Sequence, residues 1–254
     1  RRFQTGNSHT STRGASAFAG GTPTFATREL AGPQAVLIYV GTKRDAAFRR
    51  ALDFALARGG LGSITSGEQV TPTRVPVPTG APLDAVGRLG DLDRAREEAK
   101  KSPGLDHAKL EILVEDTRPD DAAIAERVGL ALDKLGVQWS VSAVTAATLR
   151  ERIAAGKADL WIGQLTEPAS PPLWWGAAFA AGGDEWPVAA LQTSSLDGAA
   201  AQKAFAEREP IVPLMFRSVR LWYRSDVHGI VFDALGRPCF ADAFVFGTPV
   251  RSRP

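Results

Sequence analysis

Cysteine is nearly absent from this chain. Cys239 stands alone among 254 residues, which excludes an internal disulfide and a thiolate metal cage and is compatible with either redox compartment. Histidine is almost as scarce, and His9, His107 and His228 are too scattered to outline a metal site. Neither sign of charge is in excess. The 30 basic and 28 acidic residues leave a net charge of +2 and are spread along the whole sequence, so no basic stripe follows a phosphate backbone and nucleic acid is excluded as a partner. Long hydrophobic runs are missing as well: none approaches the ~20 residues of a membrane-crossing helix. Arg1-Arg2 is not followed by the apolar region of a signal peptide, so a mature chain or a fragment is expected. What remains, 44% hydrophobic and 23% charged residues, suits a globular chain with one large domain or two small ones.

Residues 1–30 read as a flexible leader, because their Ser, Thr, Gly and Ala content carries no helical or strand period. Ala35 to Val40 is a short β-prone run bounded by Gly32-Pro33 and Gly41. In 47–57 the apolar positions 48, 51, 52, 55 and 56 recur at helical spacing, with Arg49, Arg50 and Asp53 on the polar face and Gly59-Gly60 as the stop. Four prolines at 72, 76, 78 and 82 predict an extended loop. A short charged helix over 91–100 follows. A βαβ unit comes next: strand 110–114, a helix capped by Asp120 or Asp121 and ended by Gly136, and an alternating strand over 137–144. A helix over 148–155 and a buried strand over 159–163 complete an α/β pattern. From Ile211 onward the chain changes to strands separated by turns.

Enzyme readings are weak, and neither a catalytic residue nor a cofactor is expected. His228, Asp233 and Cys239 are near in sequence, but strand alternation gives no reason for thiol and imidazole to converge. The stretch Arg58-Gly59-Gly60-Leu61-Gly62-Ser63 lacks the Gly-Lys-Ser/Thr ending of a phosphate loop.

Three segments, in order, carry a family resemblance across 35–246. The stretch from Phe48 to Arg58 is similar to a helix written R-Q-A-L-x-x-A-[IVL]-D-R, with Ala57 where that pattern has Asp. Leu130 to Val137, followed by Leu149, Gly156 and Asp159-Leu160, resembles a stretch in which a helix ends at "GV" and a "G-x-x-D" precedes a core strand. Ile211-Val212-Pro213-Leu214 and then Val227 to Phe240, including Val227-His228-Gly229-Ile230-Val231-Phe232-Asp233, resemble a pair of closing strands. Together these segments resemble the C-terminal half of the extracellular family 5 solute-binding proteins, the peptide- and nickel-type receptors of ABC importers.

The resemblance implies an α/β, periplasmic-binding-protein-like lobe of the type II, peptide-binding class, plus C-terminal strands that complete the other lobe. It places the second lobe over 31–208 and the strand-rich tail over 209–254. Most of the first lobe is missing from that account, so the expectation is either a fragment or a split product whose other lobe a second polypeptide supplies. A lone tail would leave strand edges unpaired and apolar surface uncovered. The implied function is a periplasmic or extracellular, membrane-associated receptor that binds small peptides or a similar polar solute in an interlobe cleft and presents it to a membrane permease. The alternative is a degenerate receptor-like sensory or interaction module without a pocket.

Within the resemblance, dipeptide-binding relatives carry an acid before a proline that pairs with the ligand amine; here Ser170 precedes Pro171, and Glu167 is the substitute. The implied ligand-binding residues are Gln164, Leu165, Thr166, Glu167, Ser170, Trp174, Phe216 and Arg217. Arg217 is the candidate for a ligand carboxylate. Trp161, Trp174 and Trp175 offer either stacking faces or core packing, and Trp222 and Tyr223 lie in the tail beside Phe216.

Overall fold

The computed structural model describes residues 10–11, 27–65, 70–78, 83–105, 107–166, 171–183, 198–233 and 238–246. Two compact units emerge, one of 36–65 and 69–217 and one of 1–35, 66–68 and 218–254. Two long strands, β2 (Thr27–Thr42) and β7 (Val212–Arg224), contribute to both units. The short strand β1 (Thr10–Ser11) pairs with Tyr223 and Trp222. Of the leader expected over 1–30, then, the described residues are in strands, and the rest lies outside them. Residues 209–217, assigned from sequence to the tail, pack within the larger unit, because Ile211, Val212, Leu214 and Met215 are fully buried there.

The larger unit is a mixed sheet covered by helices. Its parallel part is β4 (Lys109–Glu115) between β5 (Gln138–Val144) and β6 (Leu160–Thr166). β6 is antiparallel to β2, and β3 (Val70–Pro72) is antiparallel to β7. Within this unit the strand order is β7-β2-β6-β4-β5, with β3 also on β7. β2 extends through Gly32-Pro33, expected as its boundary; the described pairing with β6 begins only at Val36, so Pro33 withholds no ladder N–H from that partner.

Side-chain alternation divides the core in two. On one face Ile38, Val40, Ile112, Val114, Leu160 and Ile162 pack with Phe48 and Leu52 of α1 (Ala46–Ala55) and with Ile124, Val128 and Leu132 of α4 (Pro119–Lys134), around which α2 (Ala85–Leu89) and α3 (Leu92–Ala99) also lie in sequence. On the other, Leu37 and Tyr39 pack with Trp174, Trp175 and Phe179 of α6 (Pro171–Gly182) and Phe205 of α7 (Gly198–Arg208). Leu113 and Trp161 meet Leu149 of α5 (Ala146–Ala154).

Local chemistry explains the helix limits, with two departures from expectation. α1 begins where Asp45 accepts a hydrogen bond from the Phe48 N–H at 2.8 Å, an N-cap. It ends before the glycines, at Ala55, and Arg58–Ser63 forms a 3-10 turn. Asp53, expected on the polar face, is instead buried. α4 is not capped by Asp120 or Asp121: Arg118 is the N-cap residue without a side-chain cap, and Pro119 fills the first turn, where its missing N–H costs nothing. Gly136 follows at φ 75°, the left-handed exit favoured by glycine.

In the smaller unit, Leu221, Val227 and Ile230 pack together. β8 (Val227–His228) pairs with β11 (Phe244–Val245), and β9 (Val231–Phe232) with β10 (Pro238–Cys239). Phe240, Phe244, Val245 and Phe246 are exposed.

Candidate functional site

Gln164 sits near the C-terminal end of β6, on the same face as Leu160 and Ile162, and so points toward α4. There its Nε2 donates to Oδ1 of Asp121 at 3.4 Å, while its Oε1 accepts from Nη2 of Arg217 at 3.5 Å. Both are long contacts that a ligand could tighten or replace. Arg217 reaches the group from β7, opposite Val70 of β3. Arg118 Nη1 lies 3.9 Å from Asp121 Oδ2, and its Nη2 forms a 2.9 Å ion pair with Glu115.

Asp121 is the centre of this cluster. It is fully buried in the first turn of α4, and among the described residues its Oδ2 accepts no hydrogen bond. Burial pushes its carboxyl up to about 6; Arg118, Arg217 and the Gln164 amide pull it down, and Glu115 pushes it up. An inaccessible acceptor without a donor costs free energy unless something supplies one. The group therefore offers one unfilled carboxyl acceptor, an amide and two guanidinium groups. These groups can bind a charged or polar ligand.

Of the residues singled out from sequence, Gln164 and Arg217 come together here. Leu165 and Thr166 alternate along the same strand: Leu165 packs against the core cluster of Trp174 and Phe216, and Thr166 is exposed. Trp174 and Phe216 are themselves core residues, with an edge-on ring contact at 5.2 Å. Glu167 and Ser170 lie outside the described residues. Trp161 and Trp175 are buried as well, whereas Trp222 and Tyr223 are partly exposed in the smaller unit. Sequence reasoning missed Asp121 and Arg118. The available signal was Pro119, which favours the first helical position and so argues against Asp120 or Asp121 as the N-cap residue. His228 stacks on Phe244 at 5.6 Å, and among the described residues no group of three or more His, Cys, Asp or Glu could hold a metal.

No family model matches the chain, and no curated protein gives a significant match. Solved structures do match. A dipeptide-binding protein from a Pseudoalteromonas species, in complex with Met-Leu, superposes with a TM-score of 0.73 at 17% identity, covering 96% of this chain and 55% of that one. The pheromone receptor PrgZ gives 0.70 at 15%, covering 97% and 55%. NikA from Staphylococcus aureus, in complex with Ni(L-His)2, gives 0.70 at 12%, covering 93% and 57%. The chain thus spans a little over half the length of each. At these identities the likeness establishes the fold: this chain has the α/β, periplasmic-binding-protein-like fold of the peptide- and nickel-type solute-binding proteins, and its resemblance is to their C-terminal half.

Proposed function

We propose that the chain is the ligand-binding part of a solute receptor that delivers oligopeptides, or a polar solute of similar size, to an ABC importer. The observation that carries this reading is the buried Asp121 carboxyl with an unfilled oxygen beside Gln164 and Arg217. A peptide has an ammonium group at one end and a carboxylate at the other. Asp121 can accept from the first in a charge-assisted hydrogen bond, and Arg217 can donate to the second. Asp121 would then do the work of the acid that is missing at Ser170. Gln164 bridges the two, and Thr166 lies at the same strand end. Leu165, Trp174 and Phe216 belong to the packing on the opposite face.

Binding would be enclosed by closure of a facing lobe, driven by contacts made to both sides at once. The fold's relatives are about twice as long, which supports a second segment or polypeptide as the source of that lobe. The receptor would work outside the membrane, periplasmic or extracellular and membrane-associated, with a permease as its membrane partner. Among the described residues no helix is long and apolar enough to cross a bilayer.

A second reading, an interaction module without a pocket, is favoured by the exposed Phe240, Phe244 and Phe246. One experiment separates the two. Native and denaturing mass spectra of the purified protein are compared, followed by calorimetric titration of dipeptides into wild type, Gln164→Ala and Arg217→Ala. A peptide mass retained only under native conditions, and weaker dipeptide binding by both variants, supports the receptor. A partner polypeptide without solute, or affinities unchanged by both substitutions, overturns it.

A further inference from the structure

A cavity of about 490 Å³ opens in the larger unit and shares no lining residue with the Asp121 cluster. Phe54, Val75, Leu83 and Phe205 give it apolar walls. Its basic groups are already engaged. Arg74 donates through Nε to Asp53 Oδ2 at 3.0 Å and lies over the Phe54 ring at 5.2 Å. Arg50 is held by Glu98 at 3.0 Å and by the Glu207 carbonyl at 3.3 Å. Asp53 is in turn held from behind by Arg58.

Glu209 is different. It is 7% exposed and lines the same cavity, and its carboxyl has Arg58, Arg74 and Arg50 as electrostatic neighbours but no direct hydrogen bond among those described above. Its backbone stands at φ 44°, a left-handed conformation uncommon for a residue other than glycine. The Glu209 N–H bond to the Phe205 carbonyl at 2.7 Å and the Arg49 bond to the Arg208 carbonyl at 3.0 Å hold it there. A largely buried carboxyl that faces a cavity on a residue in this conformation is costly to ionise, and an incoming cationic donor would offset that cost.

We propose that this cavity is a second binding site, one for a small organic ammonium ion with an apolar body, in which Glu209 accepts the ammonium hydrogen bonds. The preference for a cation follows from the partners. An anion would have to draw Arg74 from Asp53 or Arg50 from Glu98, leaving a buried carboxylate uncompensated; a cation displaces nothing. Asp84, largely exposed and 3.9 Å from Arg74, adds negative charge at the rim and favours cation entry. Phe54 and Phe205 receive the apolar body, in the manner of small-molecule sites with few polar groups on apolar walls.

Binding should depend on pH. Burial and the Asp53 charge push the Glu209 carboxyl well up, against Arg58, Arg74 and Arg50. The ammonium ion needs the carboxylate, so affinity rises with pH, and binding releases a proton wherever Glu209 begins protonated.

Calorimetric titration of phenethylammonium chloride into the full chain tests this, at mildly acidic and mildly alkaline pH and in two buffers of different ionisation heat. Saturable binding, tighter at the higher pH and accompanied by proton release, is expected. Phenethyl alcohol and phenylacetate should bind at least about tenfold more weakly, as should phenethylammonium to Glu209→Gln, since a charge-assisted hydrogen bond is lost in each case. Ala206→Phe, placed at an exposed cavity-lining position, should block binding with Glu209 intact. Absence of saturable ammonium binding, equal affinity in Glu209→Gln, or a preference for phenylacetate overturns the proposal. Peptide binding at Gln164 and Arg217 is unaffected by any of these outcomes, because the two sites share no residue.

Discussion

Arg58 and Asp53 form a buried ion pair five residues apart. The Arg58 side chain is completely inaccessible; its Nη2 meets Asp53 Oδ1, its Nη1 donates to the Asp53 carbonyl at 3.0 Å and its Nε to the Pro213 carbonyl at 2.9 Å. Each of the three guanidinium nitrogens thus has a partner, from α1 on one side and the start of β7 on the other. Geometry this complete is what lets a buried pair survive its desolvation cost.

Removing one partner should be severe. Asp53→Ala would leave Arg58 buried without its counter-charge and free Arg74 as well, so a loss of about 3–5 kcal/mol is expected. Denaturant unfolding measures it. A loss below about 1 kcal/mol would mean that water or another acid replaces Asp53.

Asp121 predicts a pH dependence. Its folded pKa, about 6, lies above the ordinary value of 3.8. A raised acid contributes stability that is fully present below the unfolded value and is lost as pH rises through the folded one. Ionisation of Asp121 should therefore remove about 3 kcal/mol between roughly pH 4 and 7. Glu98 and Glu111 act in the opposite sense: hydrogen bonds from Lys101 and Arg152 hold them low, so their contribution is lost as pH falls. Asp121→Asn isolates the first effect. The variant should match wild type in acid and exceed it in stability at neutral pH; identical profiles would refute the assignment.

Two glycines permit the central strand pair. Gly41 stands opposite Trp161 and Tyr39 opposite Gly163 in the β2–β6 register, and a Cβ on either glycine would overlap the facing aromatic ring. Gly41→Ala and Gly163→Ala should each cost about 1–3 kcal/mol by overpacking. Gly163→Ala should also weaken solute binding, since Gln164 is the next residue. Thermal melts and dipeptide titration read the two effects separately.

Trp174 and Phe216 test core against cleft. Phe216→Ala should lose about 3–5 kcal/mol as its edge contact and buried volume vanish. If Phe216→Leu instead lowers dipeptide affinity with little change in unfolding, the ring belongs to the ligand surface.

The sequence determined which segments become helices and strands wherever a period was strong. The apolar positions 48, 51, 52 and 55 gave α1, and Gly136 gave the end of α4, because both signals act within a turn or two of chain. It also carried the resemblance that the superpositions bear out at the level of fold, and two of the residues named from it, Gln164 and Arg217, lie 3.5 Å apart. Tertiary structure alone decided the rest. Asp53 reads as a polar-face residue and Asp121 as a cap, but each is buried against partners that a helical pattern does not show: Arg58 from the turn just after α1 and Arg74 from further along for one, Gln164 and Arg217 from distant strands for the other. Local pattern shows which way a side chain points relative to its own helix or strand. Apart from the Asp53–Arg58 pair, whether a buried charge meets a partner depends here on contacts 21 to 53 residues away, and these exist only once the sheet has formed.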